Sequence, residues 1–258
     1  MPAKTLIPIL GDQLSRNLSA LDGVDPADAV LLMVEVEEET TYVHHHKAKI
    51  AYILSAMRHH AEDMRSRGWT IDYVKLDDPG NAGSFTGELA RAVERHGPDR
   101  IRTTEAGEWR VRAMQDEWGD KFDCAVEIVE DDRFLCSHAE FDKWAGEKQS
   151  LRMEYFYREM RRKTGLLMDD GKPAGGEWNY DSENRKPAPG GDLFMPRPIA
   201  FRPDDVTRDV IAMVEDRFAD HPGTCDHFAF AVTHEEAMRA RRQFLDEALE
   251  KFGDYQDA

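Results

Sequence analysis

Half of the histidines in this chain lie in one short stretch. The segment TYVHHHKAKIAYILSAMRHH, Thr41 to His60, contains five of the ten histidines, and His44, His45 and His46 are consecutive. Imidazole can ligate a metal ion, carry a proton or hydrogen-bond a heterocyclic ligand. Neighbouring residues on a helix point about 100° apart, so three in a row do not converge easily on one ion. We therefore predict no metal site at His44–His46.

Small and polar residues follow the first two apolar runs of the chain. Gly11, Asp12 and Gln13 follow the first run, and four glutamates between positions 35 and 39 follow the second. Open α/β sheets bind ligands at the carboxyl ends of their strands. Glycine at position 11 would let a ligand approach the backbone closely. These residues are therefore candidates for one wall of a ligand pocket.

Three nearby side chains could hydrogen-bond a polar heterocycle, namely Glu39, Tyr42 and His45. The alternative is that these acids and histidines form a solvated loop and the start of an ordinary helix. The sequence contains neither GxGxxG nor GxxxxGK[ST], so neither a dinucleotide fingerprint nor a P-loop is indicated. The residues alone leave the pocket and the solvated loop as open alternatives.

Two later segments carry further candidates. Lys148–Lys163 has six basic and two acidic residues with three aromatics interleaved, which fits either a phosphate-facing helix or an amphipathic helix with solvated arginines. Gly175–Pro187 is dense in hydrogen-bonding and stacking side chains, as functional loops are. The alternative is a loop whose conformation is fixed by Trp178 and local turns.

The elements that must position these residues alternate between strand and helix. Apolar runs predict five strands, which are Lys4–Leu10, Asp28–Val36, Thr70–Leu76, Arg100–Glu105 and Cys124–Glu130. Helical spacing predicts helices at His46–Arg65, Ser84–Gly97, Glu108–Trp118, Ser150–Gly165, Asp205–Phe218 and Thr233–Phe252. The alternation indicates βαβ units and a doubly wound, parallel, five-stranded α/β sheet. We predict no strand after Phe141 and a long irregular connector at Gly171–Pro198.

Composition excludes several classes of protein. A formal net charge of −17 argues against coating nucleic acid with the whole surface, but it allows a local basic face. The three cysteines lie far apart and form no CxxC pair, so no disulfide framework is expected. No apolar run approaches the roughly 18–20 residues that a membrane span needs, and the N-terminus does not read as a secretory signal. We expect a cytoplasmic, reduced protein with no membrane partner.

Several segments together resemble the N-terminal half of one family, the bacterial photolyases and cryptochromes that carry an iron–sulfur cluster, including the prokaryotic (6-4) photolyases. The matching segments are LGDQLS, YVHHHKAKIAYILSAMRH, NAGSF, EWRV, SLRMEYFYREMRRKTGLLM, GGEWNYDSENRKP, FAFAVT and the terminal FGDYQDA. The resemblance covers the whole chain.

The resemblance implies three segments and an antenna pocket. It divides the chain into a Rossmann-like antenna domain at 1–138, a connector at 139–202 and the first helices of an all-helical FAD-binding domain at 203–258. The antenna implied is 6,7-dimethyl-8-ribityllumazine. Matched motif by motif, its neighbours are Gly11, Asp12, Glu39, Tyr42, His45 and Ile53.

The resemblance also implies a light-driven activity on damaged DNA. Asp181, Glu183 and Arg185 would face the lesion and the DNA backbone from the connector. FAD and a [4Fe–4S] cluster belong to the full-length family, and most of their ligands would lie beyond Ala258. The resemblance therefore assigns no catalytic residue to this chain and expects it to be inactive in repair without a C-terminal flavin domain. Repair enzyme and light sensor both stay open, as does a stand-alone α/β ligand-binding module that signals through a partner.

Overall fold

The computed structural model describes residues 4–146, 148–180 and 197–252. Its first five strands are β1 (Thr5–Pro8), β2 (Ala29–Val34), β3 (Thr70–Val74), β4 (Arg100–Thr104) and β5 (Ala125–Val129). The helices are α1 (Glu37–Thr41), α2 (Lys47–Ser66), α3 (Phe85–His96), α4 (Trp109–Asp116), α5 (Trp118–Lys121), α6 (His138–Ala145), α7 (Met153–Thr164), α8 (Asp205–Arg217), α9 (His234–Gln243) and α10 (Leu249–Phe252). Short 3₁₀ turns lie at Ser19–Leu21 and Pro26–Asp28, a π-helical turn at Phe244–Ala248, and a small hairpin pairs β6 (Met168–Asp169) with β7 (Lys172–Pro173).

The predicted doubly wound parallel sheet is confirmed. All four pairings in the five-stranded sheet are parallel, and the strand order is β3-β2-β1-β4-β5. The chain therefore adds β2 and β3 on one side of β1, and it then crosses to add β4 and β5 on the other side of β1. The strand order reverses between β1 and β4, which is where such sheets open a crevice at their carboxyl ends.

The central strands are buried on both faces, which explains their uninterrupted apolar sequence. In β1, Leu6 and Ile7 belong to opposite core clusters, and in β2 the same holds for Val30 and Leu31. One cluster packs the sheet against α2 and α8, and the other packs it against α3, α4 and α5. Neighbouring side chains on a strand point to opposite faces, so a strand covered on both sides reads as continuously hydrophobic.

The chain divides into two compact units. The first contains Met1–Asp131 together with Ala200–Arg239, and the second contains Asp132–Ile199 with Ala240–Ala258. Helix α8 belongs to the first unit, where Val210 and Val214 are fully buried in the same core cluster as α2. Whether the segment from 203 onward also begins a flavin-binding domain stays a prediction.

Three local predictions need correction. Helix α7 begins at Met153 rather than Ser150, and the residue before it, Arg152, makes no side-chain cap, because an arginine side chain has no acceptor atom. The predicted stop at Gly165 is correct, with φ of 72° in the left-handed region. The prediction of no strand after Phe141 is wrong, because β6 and β7 form a two-stranded hairpin.

The third correction concerns the helix predicted at Glu108–Trp118. It is divided into α4 and α5, and Trp118 opens α5 fully buried against the ring of Phe85. Among the helices that the structure describes, none combines the length and the apolar character needed to cross a lipid bilayer.

Candidate functional site

A cavity of about 280 Å³ lies at the carboxyl end of the sheet, within the first compact unit. Its walls come from segments that follow β1, β2 and β4, so it occupies the crevice where the strand order reverses. The six residues predicted as antenna neighbours all line it, namely Gly11, Asp12, Glu39, Tyr42, His45 and Ile53. The structure therefore brings this predicted set together, and its role in binding a chromophore stays a prediction.

One wall of the cavity is an apolar face of α2. Ile50, Ile53, Leu54 and Met57 follow the spacing i, i+3, i+4, i+7, which places them on one side of a helix. The helix begins at Lys47, because the imidazole Nδ1 of His46 accepts a hydrogen bond from the Ala48 backbone N–H at 3.1 Å. Of the three consecutive histidines, this one serves as a helix cap.

Gly11 is needed for helix packing. A Cβ atom at this position would lie 3.0 Å from Cγ2 of Ile53 and 3.3 Å from Sδ of Met57. The backbone after β1 therefore runs directly against α2, and the space a side chain would need is already filled. This packing gives the glycine a structural reason that does not require the close approach of a ligand.

The rim of the cavity carries an ion pair that was not predicted. The guanidinium of Arg110 donates to both carboxylate oxygens of Glu39, at 2.9 and 2.7 Å, and to Glu108 at 3.0 Å. Its guanidinium carbon also lies 4.4 Å from the ring centroid of Tyr42. The hydrogen bond to Glu39 raises the pKa of Arg110 above its usual value. Arg110 thus fixes the positions of Glu39 and Tyr42 at the mouth of the cavity.

His45 presents a neutral imidazole at this rim. Burial, and then the neighbouring positive charge of Lys49, lower its pKa below the usual value. The ammonium of Lys49 lies 3.1 Å from Nδ1, and because an ammonium only donates, Nδ1 must accept. The ring proton is therefore on Nε2, which makes His45 a hydrogen-bond donor through that atom. Its ring also packs edge-on against Tyr42, at 5.0 Å between centroids.

Glu35 borders the cavity but is already fully engaged. One carboxylate oxygen accepts from Arg58 Nε and Tyr73 Oη, both at 2.7 Å, and the other accepts from Arg58 at 2.9 Å and the Leu76 N–H at 3.0 Å. Burial and the adjacent carboxylate raise the pKa of Tyr73. This buried network ties the end of β2 to the end of β3, so Glu35 shapes the cavity without offering a free oxygen to a ligand.

Gln13 joins the end of β1 to the end of β4 through hydrogen bonds. Its side chain is completely buried, donates to the carbonyls of Thr104 and Glu105 at 3.1 and 3.2 Å, and accepts from the Leu10 N–H at 3.3 Å. The loop that carries Gly11 and Asp12 is therefore fastened to the strand on the other side of the crevice.

The basic segment at Lys148–Lys163 lies in the second compact unit. Arg158, Arg161 and Arg162 all lie against the ring of Trp178, at 5.4, 5.3 and 4.8 Å from its centroid. Arg161 is buried and donates to the carbonyls of Trp178 and Leu167. Part of the positive charge therefore has a structural use, and the buried Arg161 differs from the solvated arginines of the amphipathic alternative.

The residues predicted to face DNA cannot be located. Asp181, Glu183 and Arg185 lie outside the described residues, so their role stays a prediction. The described part of that loop ends at Tyr180 and contains Trp178, around which the arginines of α7 pack.

The cysteines do not fit an iron–sulfur cluster. Cys124 and Cys225 lie in the first unit and Cys136 in the second, and all three are free thiols. Burial raises the pKa of Cys225 to about 11, which keeps it protonated, whereas cluster ligands are thiolates. Over residues 4–146, 148–180 and 197–252, no converging group of potential ligands includes a cysteine.

Comparison with known proteins gives one matching family and two relatives. The family described as deoxyribodipyrimidine photo-lyase-related protein matches residues 7–230. A (6-4) photolyase of Agrobacterium fabrum (strain C58) is 52% identical over 253 residues, which is 98% of this chain and 50% of the relative. An uncharacterized protein of Acanthamoeba polyphaga mimivirus is 24% identical over 149 residues, 55% of this chain and 71% of the relative. The chain thus spans half the length of the Agrobacterium protein.

Proposed function

Because the chain belongs to the deoxyribodipyrimidine photo-lyase-related protein family, we propose that it forms the antenna-binding half of a light-driven, (6-4) photolyase-like DNA repair protein. The proposed ligand of the cavity is 6,7-dimethyl-8-ribityllumazine. The observation that carries this proposal is the convergence of Gly11, Asp12, Glu39, Tyr42, His45 and Ile53 around one cavity.

The size and lining of the cavity suit this ligand class. Ligand pockets typically measure about 300–1,000 Å³, and the cavity of about 280 Å³ lies just below that range. It therefore suits a two-ring heteroaromatic group better than a dinucleotide such as FAD. The apolar face of α2 offers a flat, polarisable wall at Ile53 and Met57, and thioethers make favourable contacts with aromatic rings.

The polar rim supplies the groups that would orient a heterocycle with a polyhydroxyl chain. His45 offers a donor at Nε2, Lys49 offers a cation, and Arg110 holds the Glu39 carboxylate in place. When bound, a lumazine would supply violet absorption and excitation energy to a reduced flavin. The protein residues bind and orient it, and the closely packed α2 wall excludes water from one face.

The activity of the complete protein is part of the same proposal. Its substrate would be DNA carrying a pyrimidine photoproduct, and enzymes that act on a base take it out of the stack. A C-terminal flavin domain would hold FAD and a [4Fe–4S] cluster, and Asp181, Glu183 and Arg185 would face the DNA. The family membership and the Agrobacterium relative support this part.

A stand-alone ligand-binding or light-sensing module is the second candidate. It is favoured by one observation, which is that every residue lining the cavity belongs to the first compact unit. Such a module would bind its ligand and signal through a partner without repairing DNA.

The absorption spectrum of the purified chain, recorded before and after addition of 6,7-dimethyl-8-ribityllumazine, tests the proposal. We expect saturable binding of one equivalent, and we expect no comparable binding of FAD in a parallel titration. If the lumazine does not bind at micromolar concentrations, the antenna assignment is wrong. If FAD binds instead, the cavity serves a flavin.

A repair assay under violet light separates the two candidates. The substrate is an oligonucleotide that carries a (6-4) photoproduct, and the lumazine-loaded chain is assayed alone and with the C-terminal half of the Agrobacterium relative. Repair that needs both parts supports the photolyase role. Lumazine binding without repair in either mixture favours the sensing module.

A further inference from the structure

A second group of side chains converges next to His45, which lines the cavity. Potential ligand atoms of His44, Asp220 and His221 all lie within 4.8 Å of one another. His44 lies between α1 and α2, whereas Asp220 and His221 lie in the loop that follows α8, and all three belong to the first compact unit. We propose that these three residues bind a divalent transition-metal ion of the zinc class.

His221 is arranged as a metal-binding histidine. Its side chain is buried, with 7% of the residue exposed, and its Nδ1 lies 2.9 Å from the backbone carbonyl of His45. A carbonyl only accepts, so Nδ1 carries the proton and the lone pair is on Nε2. Metal-binding histidines commonly donate their other ring N–H to a carbonyl or carboxylate, which fixes the ring and its tautomer.

The other two side chains can complete the site by rotation. The rings of His44 and His221 lie 4.9 Å apart and are nearly parallel, with an interplanar angle of 26°. Bonds of 2.0–2.1 Å in a tetrahedral site place ligand atoms about 3.3 Å apart, so the group must contract by roughly 1.5 Å. His44 and Asp220 are both exposed, and rotation of their side chains around the fixed ring of His221 can supply this contraction.

The two loops are already held together without a metal ion. The Lys47 N–H donates to the carbonyl of Pro222 at 3.0 Å, and the Lys47 ammonium pairs with Glu215 at 2.9 Å. The backbone of Gly223 also lies so close to the His46 ring that a Cβ there would be 1.8 Å from Nε2. The ligands therefore come from backbone segments that need no large movement, which lowers the entropic cost of binding.

The chemistry of the ligands selects the class of ion. Two neutral imidazoles and one carboxylate carry a net charge of −1, which favours a dication. Imidazole suits zinc, copper and nickel, whereas magnesium and calcium prefer sites made of oxygen. A set of three protein ligands leaves one tetrahedral position for water or another ligand. The earlier prediction against a metal site concerned three consecutive histidines, and this group uses only one of them.

A titration with Zn²⁺ against a chelating indicator, repeated with Co²⁺ to follow its visible absorption, tests the proposal. The chain should bind one equivalent. Asp220→Asn and His44→Ala should each weaken binding by at least about tenfold, since the loss of even an outer partner typically costs 10–100-fold. His227→Ala removes an exposed histidine of the same unit that lies outside the group, and it should leave affinity unchanged.

Two outcomes would overturn the proposal. The first is the absence of stoichiometric binding at micromolar metal. The second is wild-type affinity in both Asp220→Asn and His221→Ala, because binding would then belong to the run of consecutive histidines, as in an affinity tag. His221→Ala removes a buried ring and could unfold the loop, so circular dichroism is recorded for it. Asp220→Asn changes an exposed side chain outside the run of consecutive histidines, so it decides the question alone if His221→Ala does not fold.

Discussion

The contact between Gly11 and α2 predicts a large cost for the smallest possible substitution. In Gly11→Ala the new methyl group would lie 3.0 Å from Cγ2 of Ile53 and 3.3 Å from Sδ of Met57. Carbon atoms pack best about 3.5–4.0 Å apart, so the side chains of Ile53 and Met57 must give way by a few tenths of an ångström. Overpacking of this kind typically costs about 1–3 kcal/mol of the free energy of unfolding. Gly11 has no positive φ, so backbone strain adds nothing to this cost.

A double-mutant cycle separates this explanation from a general intolerance of alanine. Ile53→Ala removes Cγ2, and in the double variant the new methyl group gains room. The cost of Gly11→Ala should then fall by about 1 kcal/mol or more. Gly119→Ala is the matched control, because a Cβ there meets nothing within 4 Å and its φ is not positive. That control should be neutral or slightly stabilising.

Urea denaturation followed by circular dichroism measures all four variants. A neutral Gly11→Ala would refute the packing argument. Strict additivity in the cycle would also refute it, because the cost would then not arise from contact with Ile53. The same displacement should move Ile53 relative to the cavity, so Gly11→Ala should also weaken binding of the lumazine.

Three further predictions concern buried polar groups and a helix cap. Glu35→Gln breaks a buried ion pair and leaves Arg58 uncompensated, so urea denaturation should show a loss of about 3–5 kcal/mol; a loss below about 1 kcal/mol would contradict the network. Burial lowers the pKa of His60 below 6.5, because the neutral imidazole is favoured in the folded protein. The resulting stabilisation is present above pH 6.5, so the free energy of unfolding should decline as the pH falls through and below 6.5. His60→Leu should flatten that decline, and an unchanged pH profile would exclude His60 as its source. Ser84→Ala removes the cap of α3 and should cost about 1 kcal/mol in thermal denaturation, whereas an unchanged midpoint would show that the cap adds nothing.

Strands and helices could be predicted from the sequence where burial determines the spacing of their apolar residues. Strands β1 and β2 read as unbroken apolar runs because both faces are covered, and α2 shows its apolar face at helical spacing. The start of α7 was less predictable, because no side-chain cap marks it. The association of α8 with α2 was also missed, because nothing local in a helix shows which surface it will cover.

The candidate site was predictable only through the resemblance and the rule for open sheets. The rule placed the residues after β1 and β2 at one edge, and the same rule applied after β4 would have added Glu108. The ion pair between Glu39 and Arg110 joins residues 71 positions apart, and no local spacing encodes it. The hydrogen bond between His221 and the His45 carbonyl joins residues 176 positions apart, so it could not be predicted from the sequence for the same reason.

The central claim is that this cavity binds a lumazine through its polar rim and apolar wall. An equilibrium titration of 6,7-dimethyl-8-ribityllumazine against the wild type, Arg110→Gln and Arg112→Gln tests it most directly. Arg110 positions Glu39 and Tyr42, which line the cavity, whereas Arg112 lies two residues along α4 and pairs with Glu105 and Asp116, neither of which lines it.

Hydrogen bonds to charged groups contribute about 1.5–3 kcal/mol, so Arg110→Gln should weaken binding by about tenfold or more. Arg112→Gln should retain the wild-type affinity. Equal affinity in all three proteins, or no binding in any, would contradict the account.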